Sequence, residues 1–170
     1  MNRRGLTLVE LVIGVAVAGV AAIVTAGLLK AGARVFTYTM RQSSILSSAT
    51  EAMDGQGNVA GMLQTVRSSS RVSALNAGSL VVTSTASVTT TFSLSGTKLV
   101  KTTGSVSTTL ATGVTSLAVS YYDINSTTGL IESASSAANA TLVTVNMTMA
   151  GNYASDKTYH FYSAARLRNY

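Results

Sequence analysis

The sequence predicts an α+β fold, in which a long N-terminal helix with a membrane-spanning lower half packs against an antiparallel β-sheet head. Three observations carry that prediction. Residues 11–29 form an apolar run without a single charge, apolar residues then recur at helical spacing as far as Val66, and beyond Arg71 the pattern alternates with period two.

The uncharged run sets the first element. At a helical rise of about 1.5 Å per residue it covers roughly 28 Å, close to the hydrocarbon thickness of a bilayer. Arg3 and Arg4 precede it and Lys30 closes it. With Arg3 and Arg4 as the cytoplasmic anchor, the positive-inside rule puts the N-terminus in the cytoplasm and the remainder on the far side. One acid, Glu10, lies at the edge of this greasy segment. A carboxylate in the bilayer core costs about 2.5–3.5 kcal/mol on insertion scales, so Glu10 calls for a partner.

Ile45, Ala49, Ala52, Val59, Leu63 and Val66 continue on one helical face, across the weak stretch Asp54-Gly55-Gln56-Gly57. The expectation is one helix, bent or frayed near Gly55, ending around residues 68–71. Gly14, Gly19 and Gly27 fall within the span, each costing about 1 kcal/mol relative to Ala in a helix. They read as sites of close helix packing in the membrane, where small residues let backbones approach.

Six runs then read as strands: residues 80–84, 88–94, 98–102, 116–122, 141–149 and 158–167, rich in Val and Thr. Turns are expected at Ser95-Gly96, at residues 123–129 and at Gly151-Asn152. Without helical periodicity between them, the runs predict an antiparallel sheet folded or bent against the upper helix. The organisation that follows is a membrane-spanning helix half through residue 29, residues 30–71 as the helix on the head, and residues 72–170 as a β-rich head.

Composition narrows the functional classes. The 170 residues contain no Cys, Pro or Trp, so disulfides and thiolate metal sites are absent and one modest head must rely on its own core. The net charge of +6 falls to +4 without Arg3 and Arg4, too little and too scattered for a nucleic-acid patch by itself.

The N-terminus carries a resemblance. Arg4-Gly5 followed by Leu6-Thr7-Leu8-Val9-Glu10-Leu11 resembles the class III leader of type IV pilins and pseudopilins. That resemblance implies cleavage by a prepilin peptidase between Gly5 and Leu6, N-methylation of Leu6, and an assembly role for Glu10, whose carboxylate meets the N-terminal amine of a neighbouring subunit. The resemblance further implies residues 1–5 as a leader and residues 6–29 as the transmembrane and assembly half of the helix, in which residues 19–27 loosen during assembly as the alternative to close packing at the glycines; the family usually has Phe where this chain has Leu6. A glycine at the cleavage point also lets a protease approach the backbone closely, and pairing amine with carboxylate offsets the desolvation of both. Two other readings stand beside it. Thr7-x-x-Glu10 is also a capping box for the helix start, and a basic start followed by an apolar core with Ala16-Val17-Ala18 also fits an ordinary secretory signal peptide.

The C-terminal half carries a narrower resemblance. Residues 110–123, Leu-Ala-Thr-Gly-Val-Thr-Ser-Leu-Ala-Val-Ser-Tyr-Tyr-Asp, look like the segment before the last strands of J-type minor pseudopilins and W-type minor pilins. Ala165-Arg-Leu-Arg-Asn169 looks like their closing strand, and residues 94–100 complete an ordered set. The pilin-like architecture, a minor subunit near a filament tip, and a place in type II secretion or pilus assembly are what this resemblance implies. The implied partners are a prepilin peptidase, other pilin or pseudopilin subunits, an inner-membrane assembly platform and membrane lipid.

Catalytic chemistry finds little purchase. His160, the only histidine, alternates with Tyr159 and Phe161 in a strand pattern. Asp123, Glu132 and Asp156 fall in expected turns, where acids cap or solvate; a loop Ca²⁺ site is the alternative, without EF-hand spacing. No nucleophile motif or phosphate loop is present. The expectation is a protein without enzymatic activity, cofactor or metal. Against the structural subunit stands a binding module displayed on a filament for adhesion or DNA uptake, with Arg166, Arg168 and Tyr170 as the ligand contacts, since arginine reaches phosphate while an aromatic ring stacks on a base.

Overall fold

The computed structural model describes residues 7–125, 127–151 and 157–167. It consists of helices and antiparallel strands, the α+β class, and separates into two compact units, Met1–Ser43 and Ser44–Tyr170.

The first unit is helix throughout its described residues from Leu8 onward. Helix α1 runs Leu8–Asp54 without interruption, straight through Gly14, Gly19 and Gly27. Every large apolar side chain from Leu8 to Leu29 is between 56% and 81% exposed among the described residues. The helix is long and apolar enough to cross a membrane, by length and composition.

The second unit contains the end of α1 and everything after it. Ile45 is the first hydrophobic residue of α1 packed on its core, and Ala49, Ala52 and Met53 are buried. Within this unit the core takes in α1 from Ile45 onward.

The expected single helix ending at residues 68–71 is corrected by the structure. Helix α1 stops at Asp54, strands β1 (Gly55–Gln56) and β2 (Val59–Ala60) make a two-stranded hairpin, and helix α2 (Met62–Ser68) follows. Gly55 at φ 96° and Gly57 at φ 56° adopt left-handed conformations that glycine alone takes without strain. The apolar phase survives the interruption because Met62, Leu63 and Val66 on α2 face the same core as Ala49 and Ala52. Val59, assigned to that face by spacing, lies on the hairpin and is exposed.

Among the described residues, nine further strands form two sheets. The first is a five-stranded meander of β3 (Ser69–Asn76), β4 (Ser79–Ser84), β5 (Thr89–Ser95), β6 (Lys98–Thr103) and β7 (Val106–Thr112), in that spatial order. The second contains β8 (Val114–Ile124), β9 (Ile131–Ser133), β10 (Leu142–Ala150) and β11 (Thr158–Arg166), ordered β11-β10-β8-β9. All pairings are antiparallel. The six expected strands are present, but they are divided between two sheets.

Alternation along the strands builds the core. Leu80 and Val82 of β4, Phe92 of β5, Leu99 of β6, Val114 of β8, and Val143, Val145, Met147 and Met149 of β10 are buried, with Met62 and Val66 from α2. Strand β8 contacts β3, β4 and β5, while α2 contacts β11 and β4, so the core lies between the two sheets and under α2. Tyr121 of β8 reaches across with its hydroxyl, 2.8 Å from the Ser79 carbonyl and 3.1 Å from that of Asn76. A backbone bond from Val119 N–H to the Ala77 carbonyl, 2.8 Å, reinforces this crossing.

Candidate functional site

The first candidate site is the start of α1. Thr7 caps the helix: the Leu11 amide donates to the Thr7 carbonyl at 3.1 Å, and the Glu10 amide donates to Thr7 Oγ1 at 3.3 Å. Glu10 Oε2 in turn accepts from the Thr7 amide at 3.0 Å and from the Thr7 hydroxyl at 2.9 Å. This reciprocal arrangement is a closed capping box, which satisfies helix-end amides and places a negative charge at the positive end of the helix dipole. Glu10 is exposed, so its remaining acceptor capacity stays accessible beside the cap. Arg3, Arg4, Gly5 and Leu6 lie outside the described residues.

The apolar surface above this cap continues to Leu29. Thr25, the one polar side chain within it, donates its hydroxyl to the Ala21 carbonyl at 2.8 Å. Beyond the span, Thr37 and Thr39 do the same to Ala33 and Val35, at 2.8 and 3.0 Å.

Arg166 occupies the last position of β11 and is exposed. It lines an open cleft of about 550 Å³ together with Gln64, Arg67, Ser68 and Leu167, so the structure brings α2's arginine to the same cleft as β11's. Arg67 also stands 3.9 Å from Asp54, an exposed pair worth little to stability. Sequence reasoning missed Arg67, because it belongs to a helix nearly a hundred residues away and only the packing of α2 on β11 joins them. Arg168 and Tyr170 lie outside the described residues.

Asp123 and Glu132, assigned to turns by the sequence, are strand residues directly opposite one another on β8 and β9. Hydrophobic neighbours Ile124 and Ile131 pair next to them and extend the ladder into what read as a loop. Both line a cleft of about 450 Å³ with Asn125 and Asn139. Their oxygens already have protein donors, the Ile124 amide on Asp123 at 2.7 Å and the Asn125 side-chain amide on Glu132 at 3.3 Å. Among the described residues no group of three His, Cys, Asp or Glu converges to hold a metal ion. Asp156 lies outside them. His160 sits on the exposed face of β11, its Nδ1 3.1 Å from Thr148 Oγ1 on β10.

Two titratable side chains are shifted by the head's interior. Burial lowers the Lys101 ammonium from its ordinary value. Its Nζ donates to the Ala60 carbonyl at 2.9 Å and lies 5.8 Å from the centre of the Phe92 ring. Burial raises the Tyr121 phenol, against a smaller opposing effect of the Asn76 carbonyl bond. Both groups hold strands and hairpins in place. No family model matches the chain, and neither a curated protein nor a solved structure matches it.

Proposed function

We propose that this chain is a minor pilin or pseudopilin, a structural subunit of a type IV pilus or of a type II secretion pseudopilus, placed at or near the filament tip. The observation that supports the reading is the uninterrupted helix α1 directly behind the Gly5-Leu6 motif, whose large apolar side chains from Leu8 to Leu29 are exposed and at whose start the Glu10 side chain is accessible. Residues 11–29 anchor the precursor in the inner membrane, with its N-terminus in the cytoplasm and the two-sheet head in the periplasm. Prepilin peptidase removes residues 1–5 and Leu6 becomes the methylated N-terminus. An assembly platform then transfers the subunit from lipid to neighbouring subunits, whose helices cover the apolar surface and whose N-terminal amine meets Glu10. The protein acts by assembly and not by catalysis, supporting filament initiation and protein export or pilus assembly.

The test is the mass and N-terminal sequence of the mature protein made alongside a prepilin peptidase. A start at methylated Leu6, abolished when Gly5 is replaced by a bulky residue, supports the proposal. A terminus after Ala18 or Ala26 shows signal-peptidase processing and removes it. A second reading, a filament-displayed binder of DNA, draws on Arg67 and Arg166 at one cleft. Salt-dependent DNA binding by the head, weakened by Arg67→Gln and Arg166→Gln, would favour it.

A further inference from the structure

We propose that α1 carries, just above the span, a recognition surface for the headgroups of anionic phospholipids, formed by Lys30 and Arg34 with Arg41 behind them. It rests on the reading of residues 11–29 as a membrane span.

At 100° per residue, Lys30, Arg34 and Arg41 fall within an arc of about 40° on one side of the helix. All three are exposed. No acid occurs between Glu10 and Glu51, so the sequence of this stretch of helix is net positive. The opposite arc holds Leu28, Gly32, Val35 and Phe36, which keeps an apolar side continuous with the span.

Position along the helix matches the charge to the headgroup layer. Lys30 stands about 28 Å of helix above Leu11, the thickness of the hydrocarbon core, and Arg34 about 6 Å higher. The first aromatic residues of the chain, Phe36 and Tyr38, follow within two turns, where amphipathic rings favour the membrane interface. Long basic side chains there run their methylene stems along the acyl chains and place their charges among phosphates.

A protein acid is the competing partner. Glu10, the only acid among the first fifty residues, lies about 30 Å of helix below Lys30, so a neighbouring copy at similar height offers none. Anionic headgroups lie at the required height all around the helix.

The full chain tests this directly. It contains no cysteine, so Ala33→Cys accepts a single donor fluorophore. The labelled protein is reconstituted into phosphatidylcholine vesicles containing a trace of acyl-chain acceptor-labelled phosphatidylglycerol or, in parallel, acceptor-labelled phosphatidylcholine. The expected result is about fivefold or greater local enrichment of the phosphatidylglycerol acceptor, since each base near the surface is worth about that factor. Enrichment should vanish in Lys30→Gln/Arg34→Gln and in high salt, and persist in Lys30→Arg/Arg34→Lys. Equal transfer from both lipids, or enrichment unchanged in the glutamine variant, overturns the proposal. So does loss of association between copies of the chain in the glutamine variant with no lipid preference in the parent. Release of the parent protein from vesicles by alkaline carbonate would instead overturn the span reading beneath it.

Discussion

Gly55 and Gly61 bring their backbones together where α1 gives way to the β1–β2 hairpin: a methyl group on Gly55 would stand 2.5 Å from the Gly61 amide nitrogen, and one on Gly61 would strike the amide nitrogen of Gly55. Both obstacles are backbone, which cannot swing aside as a flexible side chain would. Gly61→Ala is therefore expected to destabilise the head by about 2–3 kcal/mol through overpacking alone, since its φ of −74° suits any residue. Gly57→Ala, which meets no atom within 4 Å but sits at φ 56°, should cost only about 1–2 kcal/mol of backbone strain. Urea unfolding of the two variants checks the order.

Residues 44–170 contain the whole buried core and omit the bare apolar helix. This fragment is expected to be soluble and to unfold cooperatively, whereas truncation at residue 30 leaves Val35, Phe36 and Met40 exposed and should be more prone to associate. Size-exclusion chromatography of both fragments tests this. Within the head, Phe92→Ala should cost about 3–5 kcal/mol, as its ring is fully buried.

Opposite alkaline responses are expected from Lys101 and Tyr121. Burial depresses the folded pKa of Lys101, so the unfolded chain holds this proton to higher pH, and stability rises as pH climbs through the folded value towards 10.5. Burial raises the folded pKa of Tyr121, so its contribution is complete below pH 10.0 and is lost as pH rises through the folded value. In alkaline denaturation the head should therefore lose less stability with rising pH in Tyr121→Phe than in the parent, and gain less in Lys101→Met. At neutral pH, Tyr121→Phe should cost about 1 kcal/mol for the lost hydroxyl bond.

Glu10→Gln separates the cap from the inter-subunit partner. An amide still accepts from Thr7, so helix formation, insertion and leader cleavage should change by about 1 kcal/mol or less. If the proposed function holds, a neighbour's buried amine is left without its carboxylate at a cost of several kcal/mol, and recovery of the variant with partner subunits should fall sharply. Normal recovery in cells lacking the native copy would reduce Glu10 to its capping role.

Legibility in the sequence followed burial. Strands with one face in the core, such as β4 with Leu80 and Val82 or β10 with its Val and Met residues, announce themselves by alternation. Strand β3 does not, because register shifts at residues 69–71 and 72–74 break its phase. Strand β7 begins with four exposed residues, and β9 is exposed throughout, so neither shows an apolar rhythm. The division into two sheets depends on contacts such as Tyr121 with Ser79, which no local pattern encodes. At the candidate site the Thr7–Glu10 box was legible because its spacing is local, and the Arg67–Arg166 cleft was not, because it is made by tertiary packing.

Thr25 bears finally on what a lipid would meet along α1. With its hydroxyl turned onto the Ala21 carbonyl, its polar group is satisfied within the helix and the side chain becomes, in outline and in wetting, close to an isostere of valine. The helix can thus present an unbroken hydrocarbon exterior although its composition is not wholly hydrocarbon. Thr25→Val should pass unnoticed by the bilayer, whereas Thr25→Asn, whose amide carries more hydrogen-bonding groups than the helix can absorb, would mark the same spot as polar.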